Sequence, residues 1–255
     1  MYSWHTPVEG SLIQKCKAII KNILAKRIRQ RIPYVICSAM DKDKYCTEFG
    51  SAIVYPLETN APGYTCEDIE ENKVEDDSFF RIMIGHSCST EGDHEATIRE
   101  LQKCKLPENT RIFLPLNYGD KANGDRIEKV AQDAFGDKAE ILRERLPLQE
   151  YMKKLWTVDC AIFHTDRQIA LGNLIMLLYM KKKIFLKKDS VMWKYFTSRN
   201  IPVYDSSSIT LEALQSRTDD IEAEKQFSMR VNNQRNQEKE MAEIYKDLEK
   251  RISKK

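Results

Sequence analysis

The stretch CAIFHTDRQIALGNLIMLLYMKKK at 160–183 holds the residue types best suited to binding an anion. A short apolar run ends at His164, a polar loop carries Arg167 and Gln168, and Gly172 and Asn173 open an apolar helix. Strand, loop and helix in that order point unpaired backbone N–H groups and the positive helix end at a phosphate. Arg167 offers a planar fork for a diphosphate, Gln168 and Asn173 add donors, and Gly172 lets the backbone approach closely. The pattern is neither G-x-G-x-x-G nor a P-loop, so dinucleotide oxidoreductase and phosphate-hydrolase chemistry lose support. The plainer alternative is an arginine salt-bridged at a helix start. His164 and Asp166 can form an acid or base pair, and Asp166 can equally be the helix N-cap or the partner of Arg167.

Two other loops carry reactive side chains. In IGHSCSTEGDHEATIREL, Gly85 ends an apolar run, His86 and Ser87 follow, and His94 stands where a helix begins. Either histidine can contact a ligand or move a proton; the alternative is a surface loop capped by Asp93 with His94 solvated. In PLNYG, Asn117, Tyr118 and Gly119 allow a tight turn that sets an amide and a hydroxyl beside the same edge, and a plain turn fits equally.

These loops need a scaffold that aligns them. From 79 to 208, apolar runs at 79–85, 111–119, 139–146, 160–164, 182–188 and 201–205 alternate with amphipathic stretches. Six strand candidates separated by helices predict a parallel, Rossmann-like sheet, because each parallel pair needs a crossover. In such a sheet the strand-to-helix loops gather at the carboxyl edge, where ligands bind. Pro147 suits a first helical turn and Gly136 a helix end.

The flanks read differently. Residues 11–32 place Leu12, Cys16, Ile19, Ile20, Ile23 and Ile28 at helical spacing among Lys15, Lys17, Lys21, Lys26, Arg27, Arg29 and Arg31, which predicts a basic amphipathic helix. That helix either meets an anionic membrane or packs its apolar stripe on a sheet with a solvated basic rim. Residues 34–39 and 50–57 read as strands, and the acidic run 66–77 as a linker. Beyond Arg217 a charged helix is expected, with Ile221, Phe227, Met241, Ile244, Tyr245 and Leu248 packing one narrow stripe. The expected divisions are therefore a partial α/β region at 1–76, a Rossmann-like unit at 77–216 and a charged helix at 217–255.

Composition limits the partners. Forty-one basic against 39 acidic residues leave a net charge of +2, too little for wholesale nucleic-acid binding, and the basic helix has almost no aromatics on which bases stack. Seven scattered cysteines without a C-x-x-C pair fit a reduced, cytoplasmic protein. No apolar run approaches the roughly 20 residues of a membrane span, and the first residues lack a signal-peptide pattern.

Taken together, the three loops resemble the bacterial TDP-N-acetylfucosamine:lipid II N-acetylfucosaminyltransferase family, glycosyltransferase family 56. Its G-N-S…N-H-x-E-A-like loop falls on Gly85, Ser87, His94, Glu95 and Ala96. Its P-L-S-Y-G strand end falls on Pro115, Leu116, Tyr118 and Gly119, and its R-Q-Q-[GA]-x-G-N loop on Arg167, Gln168, Ala170, Gly172 and Asn173. His86 stands for the family's Asn, Asn117 for Ser and Ile169 for the second Gln. The resemblance covers roughly 79–205 and implies a GT-B architecture: a C-terminal Rossmann-like domain that holds a nucleotide sugar, and an acceptor domain before it. Trp4 matches a Trp-containing strand late in that acceptor domain, implying that its first half is absent from this chain.

The activity so implied is metal-independent and cofactor-free transfer of a deoxyaminosugar from a dTDP-sugar to a polyprenyl-diphosphate-linked saccharide, in surface polysaccharide synthesis. The lack of a D-x-D motif at a strand end of 79–208 agrees with the metal-free reading. Fixed cationic and N–H groups, Arg167 and the helix start at Gly172 and Asn173, would stabilise the leaving diphosphate. His94 is the candidate general base. Gly85, His86, Ser87, Asn117, Tyr118, Gly119, His164, Arg167, Gln168, Gly172 and Asn173 are the candidate substrate contacts. The expected partners are the donor, the lipid-linked acceptor and the inner face of the cell membrane, with no nucleic acid. The competing class is an α/β module that binds a nucleotide sugar or a protein without turnover.

Overall fold

A computed structural model describes residues 11–58, 63–76, 78–216, 227–229 and 233–253, and the chain divides into two compact units, 1–60 with 234–255 and 61–233. These divisions differ from the boundaries expected at 76 and 216. Trp4 and Ile221 lie outside the described residues.

The first unit begins with helix α1 (Leu12–Arg29), whose start is fixed by a capping box in which the Ser11 N–H donates to Gln14 Oε1 at 2.7 Å. Strand β1 (Tyr34–Ser38), helix α2 (Lys42–Phe49) and strand β2 (Ile53–Leu57) follow. β1 and β2 pair in parallel, Tyr34 opposite Ile53 and Ile36 opposite Tyr55. α2 was not expected, because Phe49 is its one buried side chain and its other positions are mostly polar. α1 forms where predicted, yet its stripe is not packed on the sheet: Leu12 is 78% exposed and Ile20 58%, while the helix buries Ala18 and Arg29.

The second unit carries six strands, β3 (Phe80–Ile84), β4 (Thr110–Pro115), β5 (Ala139–Leu142), β6 (Cys160–Phe163), β7 (Lys183–Leu186) and β8 (Tyr204–Asp205). All six coincide with the apolar runs. Their order is β5-β4-β3-β6-β7-β8, with every pair parallel and Ile82 opposite both Ile112 and Cys160. Helices α3 (Cys66–Glu71), α4 (His94–Gln102), α5 (Lys121–Phe135), α6 (Leu148–Trp156), α7 (Leu171–Tyr179), α8 (Val191–Thr197) and α9 (Leu211–Gln215) complete it. The acidic segment expected as a linker opens instead with α3, because Thr65 and Asp68 form a capping box and Ile69 is fully buried beneath it. Ile82, Ile112, Leu114, Ile162 and Phe185 meet Ile98, Leu101, Ile127 and Ala131 in one core. The central strands are covered on both faces, as parallel strands require.

Charge is concentrated around the first residues of β3. Arg81, 6% exposed, pairs with Asp76 at 2.9 Å and Glu140 at 3.2 Å, while its N–H donates to Asp159 Oδ2 at 2.7 Å. This network satisfies a buried guanidinium at the end of the strand away from the candidate loops.

The last helix, α10 (Gln234–Ile252), returns to the first unit. There Tyr55 Oη donates to Asp247 Oδ2 at 2.5 Å and the Glu58 N–H to Glu240 Oε1 at 2.8 Å. Ile244 is buried and Met241 and Leu248 are half-buried, but Tyr245 is exposed, so the packed stripe is narrower than expected.

Candidate functional site

The chain enters the sheet at β3, in the middle, and builds outward first through β4 and β5, then through β6, β7 and β8. Right-handed crossovers in opposite directions send α4 and α7 to opposite faces, which opens a crevice at the carboxyl ends of β3 and β6. The loops expected to bind meet there. The Asp93 N–H donates to the His164 carbonyl at 3.0 Å, and Thr165 Oγ1 donates to the Glu91 carbonyl at 2.8 Å. Arg167 forms an ion pair with Glu91, and its backbone N–H donates to Thr165 Oγ1 at 3.2 Å. The PLNYG loop joins them: the Cys88 N–H donates to the Tyr118 carbonyl at 2.7 Å, and Asn123 Nδ2 to the Cys88 carbonyl at 2.9 Å.

Sterics fix the first loop. Gly85 has φ +65°, and a Cβ there would lie 2.9 Å from His94 Cδ2 and nearer still to Nε2. His94 is 4% exposed rather than solvated. Its Nδ1 lies 3.0 Å from the Gly92 carbonyl, which can only accept, so Nδ1 carries the proton. Nε2 is left as a buried acceptor above Gly85 with no partner among the described residues. Burial lowers the His94 pKa, against the opposing pull of the Gly92 carbonyl. Asp93 does cap α4, accepting from the Ala96 N–H at 2.9 Å.

Burial also pushes the His86 pKa down to about 4, with His94 adding a smaller like-charge effect. His86 meets the Tyr118 ring edge-on at 5.8 Å, and Ser87, 1% exposed, lies against its Nε2. Tyr118 stands exposed with the Arg145 guanidinium 5.9 Å from its ring centre. Asn117 Oδ1 is buried without a partner among the described residues, and Gly119 adopts φ +108° where its backbone meets Cys88.

Of the alternatives open for His164 and Asp166, the acid–base pair does not form. His164 Nδ1 bonds Ser206 Oγ at 2.8 Å, and Asp166 pairs with Lys187 at 2.6 Å. Burial lowers the His164 pKa as well. With His86, His94 and His164 all favoured as neutral imidazoles, positive charge at this edge comes from Arg145, Arg167, Lys187 and the start of α7. Asp166 is not the cap of α7 either. Ala170 holds that position in the left-handed region, φ 55°, and no side chain caps the first turn. A non-glycine residue held there stores about 1 kcal/mol of strain.

α7 is anchored by its last residues, Leu174 to Tyr179, all buried. At its first turn, Asn173 Nδ2 donates to Tyr151 Oη at 3.0 Å and Tyr64 Oη donates to the Gly172 carbonyl at 2.8 Å. A Cβ on Gly172 would meet nothing nearer than Tyr64 Oη at 3.9 Å, so this glycine leaves open space rather than relieving a clash. Gln168, half-buried, completes the loop. Tyr64, Glu91, Tyr151 and Thr165 were not foreseen from the sequence, since none belongs to a motif and each acts through a partner distant in the chain.

The family model for 4-alpha-L-fucosyltransferase glycosyl transferase group 56 matches residues 44–234. The chain belongs to this family. Solved structures of similar fold include a sucrose-phosphate synthase from Thermosynechococcus elongatus, with TM-score 0.67 at 12% identity over 94% of this chain and 64% of that one. The Anabaena protein Alr3699/HepE, solved with UDP and glucose, gives 0.62 at 11% identity over 88% and 66%. An alpha,alpha-trehalose-phosphate synthase (UDP-forming) from Burkholderia vietnamiensis gives 0.64 at 9% over 95% and 67%. The fold of this group 56 member is thus that of GT-B glycosyltransferases, and the chain spans 64 to 67% of the length of these three.

Proposed function

We propose that this group 56 chain is a glycosyltransferase that moves a deoxyaminosugar from a dTDP-sugar to a polyprenyl-diphosphate-linked saccharide, with the donor diphosphate held at the β6–α7 loop. The observation that carries the reading is the coincidence of Arg167, an uncapped α7 first turn and open space at Gly172 in the one crevice the sheet topology creates. As the acceptor hydroxyl forms the new bond to the sugar carbon and gives its proton to a base, the bond between the sugar and the diphosphate oxygen breaks and its electron pair moves onto that oxygen. Arg167 and the first N–H groups of α7 are fixed where that charge grows, which favours the transition state over the ground state. Gln168 and Asn173 add donors, while Gly85, His86, Ser87, Asn117, Tyr118, Gly119 and His164 shape the wall. His94, the general-base candidate, offers its Nε2 as a buried acceptor beside Gly85, at the edge of the same crevice.

Calorimetric titration with dTDP tests the donor site, with UDP as the comparison nucleotide because HepE was solved with UDP. Arg167→Ala should cost about 1.5–3 kcal/mol, roughly 10- to 100-fold in affinity. An unchanged affinity would refute the assignment.

The acceptor side rests on α1. It joins exposed Leu12, Ile19, Ile20 and Ile23 to Lys15, Lys17, Lys21, Lys26 and Arg27, with no acidic residue between 11 and 32. That combination suits the surface of an anionic bilayer, where a lipid-linked acceptor resides and where this protein would sit on the cytoplasmic side. Among the described residues no helix is long and apolar enough to cross a membrane. Flotation with anionic vesicles checks the contact, and absence of binding removes it. A second reading, donor binding without turnover, is favoured by the pairing of only two strands among the described residues of the first unit. Transfer of labelled sugar to a lipid-linked acceptor separates the two.

A further inference from the structure

We propose that Glu91 is the built-in exchange partner of the donor diphosphate: its carboxylate occupies the Arg167 guanidinium until a phosphate oxygen takes its place. The proposal rests on the reading of Arg167 as a diphosphate ligand. A guanidinium fork recognises carboxylate and phosphate through the same in-plane N–H pairs, so the two anions compete for one seat. The backbone around Glu91 is fixed at both ends. Its carbonyl accepts from Thr165 Oγ1 at 2.8 Å, its N–H donates to Ser89 Oγ at 3.2 Å, and two residues on the Asp93 N–H holds the His164 carbonyl at 3.0 Å. Thr165 is 4% exposed and also accepts from the Arg167 N–H at 3.2 Å, so one buried hydroxyl ties the bases of both charged residues.

The side chains differ from this fixed frame. Glu91 is 38% exposed and Arg167 19%, which lets the carboxylate rotate into solvent while the guanidinium stays on the crevice wall. Glu91 thus serves two ends. It partners the Arg167 guanidinium in the absence of ligand, and it opposes any anion that binds too weakly to displace it. It is a positioning residue rather than a catalytic one.

The test is a titration with dTDP, followed by calorimetry or NMR to millimolar concentration, of wild type, Glu91→Gln, Arg167→Ala and the double variant. The exchange predicts that Glu91→Gln binds dTDP about three- to fivefold more tightly, the size expected for a partly exposed ion pair. It also predicts that the same change has no effect once Arg167 is alanine. Equal or weaker binding by Glu91→Gln overturns the exchange, and so does an equal gain in the Arg167→Ala background, which would report only the loss of a nearby negative charge. If wild type binds dTDP and Arg167→Ala weakens it while Glu91→Gln gains nothing, the donor site stands and the exchange falls. If none of the folded proteins binds dTDP, the donor reading falls with it.

Discussion

The two units use apolar residues in opposite ways. Ile82, Leu114 and Ile162 in the six-stranded unit are at 0% exposure, whereas Ile20, Ile23 and Leu24 of α1 stand at 58%, 48% and 52%. Periodicity identifies which side chains share a face, but the number of layers available decides whether that face is covered. Six parallel strands carry enough width to support helices on both faces; the two paired strands among the described residues of the first unit do not. The same amphipathic pattern therefore yields a core in one unit and a surface in the other.

The contrast can be broken most forcefully in the covered core. Phe185, 1% exposed among Ile82 and Ile162, should cost about 3–5 kcal/mol when cut to alanine, measured as a drop in the urea midpoint. A loss below about 1 kcal/mol would show that this core is less tightly packed than described. Next comes Gly85→Ala, which adds a Cβ into the His94 ring at φ +65° and should cost about 2–3 kcal/mol. Adding His94→Ala should return the part due to the clash, leaving the strain at φ.

A pH series sharpens the comparison further. The folded pKa of His86, about 4, lies below its ordinary 6.5, so the unfolded chain binds more protons between those values. Stability is then fully present above about 6.5 and is lost as pH falls toward 4, by up to about 3 kcal/mol. His86→Gln should lessen that slope, leaving the part that His94 and His164 contribute, and an unchanged slope would place the proton uptake elsewhere. The smallest effect belongs to α1: Ile20→Ser with Ile23→Ser should move stability by no more than about 0.5 kcal/mol, since both are exposed. The same pair should abolish flotation with anionic vesicles; a large loss of stability instead would mean that this face is covered.

What the residues disclosed in advance follows the same division. The six strands were legible because each is a short apolar run between turn residues, and the loops after β3, β4 and β6 carried ordered motifs. α2 and α3 were not, since their buried contacts reduce to Phe49 and Ile69 against polar surroundings. Within the site, Arg167 was legible from its place before a helix, but its partner was not. Glu91 lies in a different loop, and only the pairing of β3 with β6 brings the two together. The fates of His164 and Asp166 were hidden for the same reason: Ser206 and Lys187 reach them from the ends of later strands. Of the two readings open for His94, the solvated one fails because its ring fills the space that Gly85 leaves, which nothing local in the sequence states.

The central claim is that the β6–α7 loop of this group 56 chain grips the diphosphate of a nucleotide sugar. Titrating wild type and Arg167→Ala with dTDP measures it directly. The account predicts saturable binding by wild type that weakens roughly 10- to 100-fold in the variant. Equal affinities for the two, or no binding by the folded wild-type protein, would contradict it.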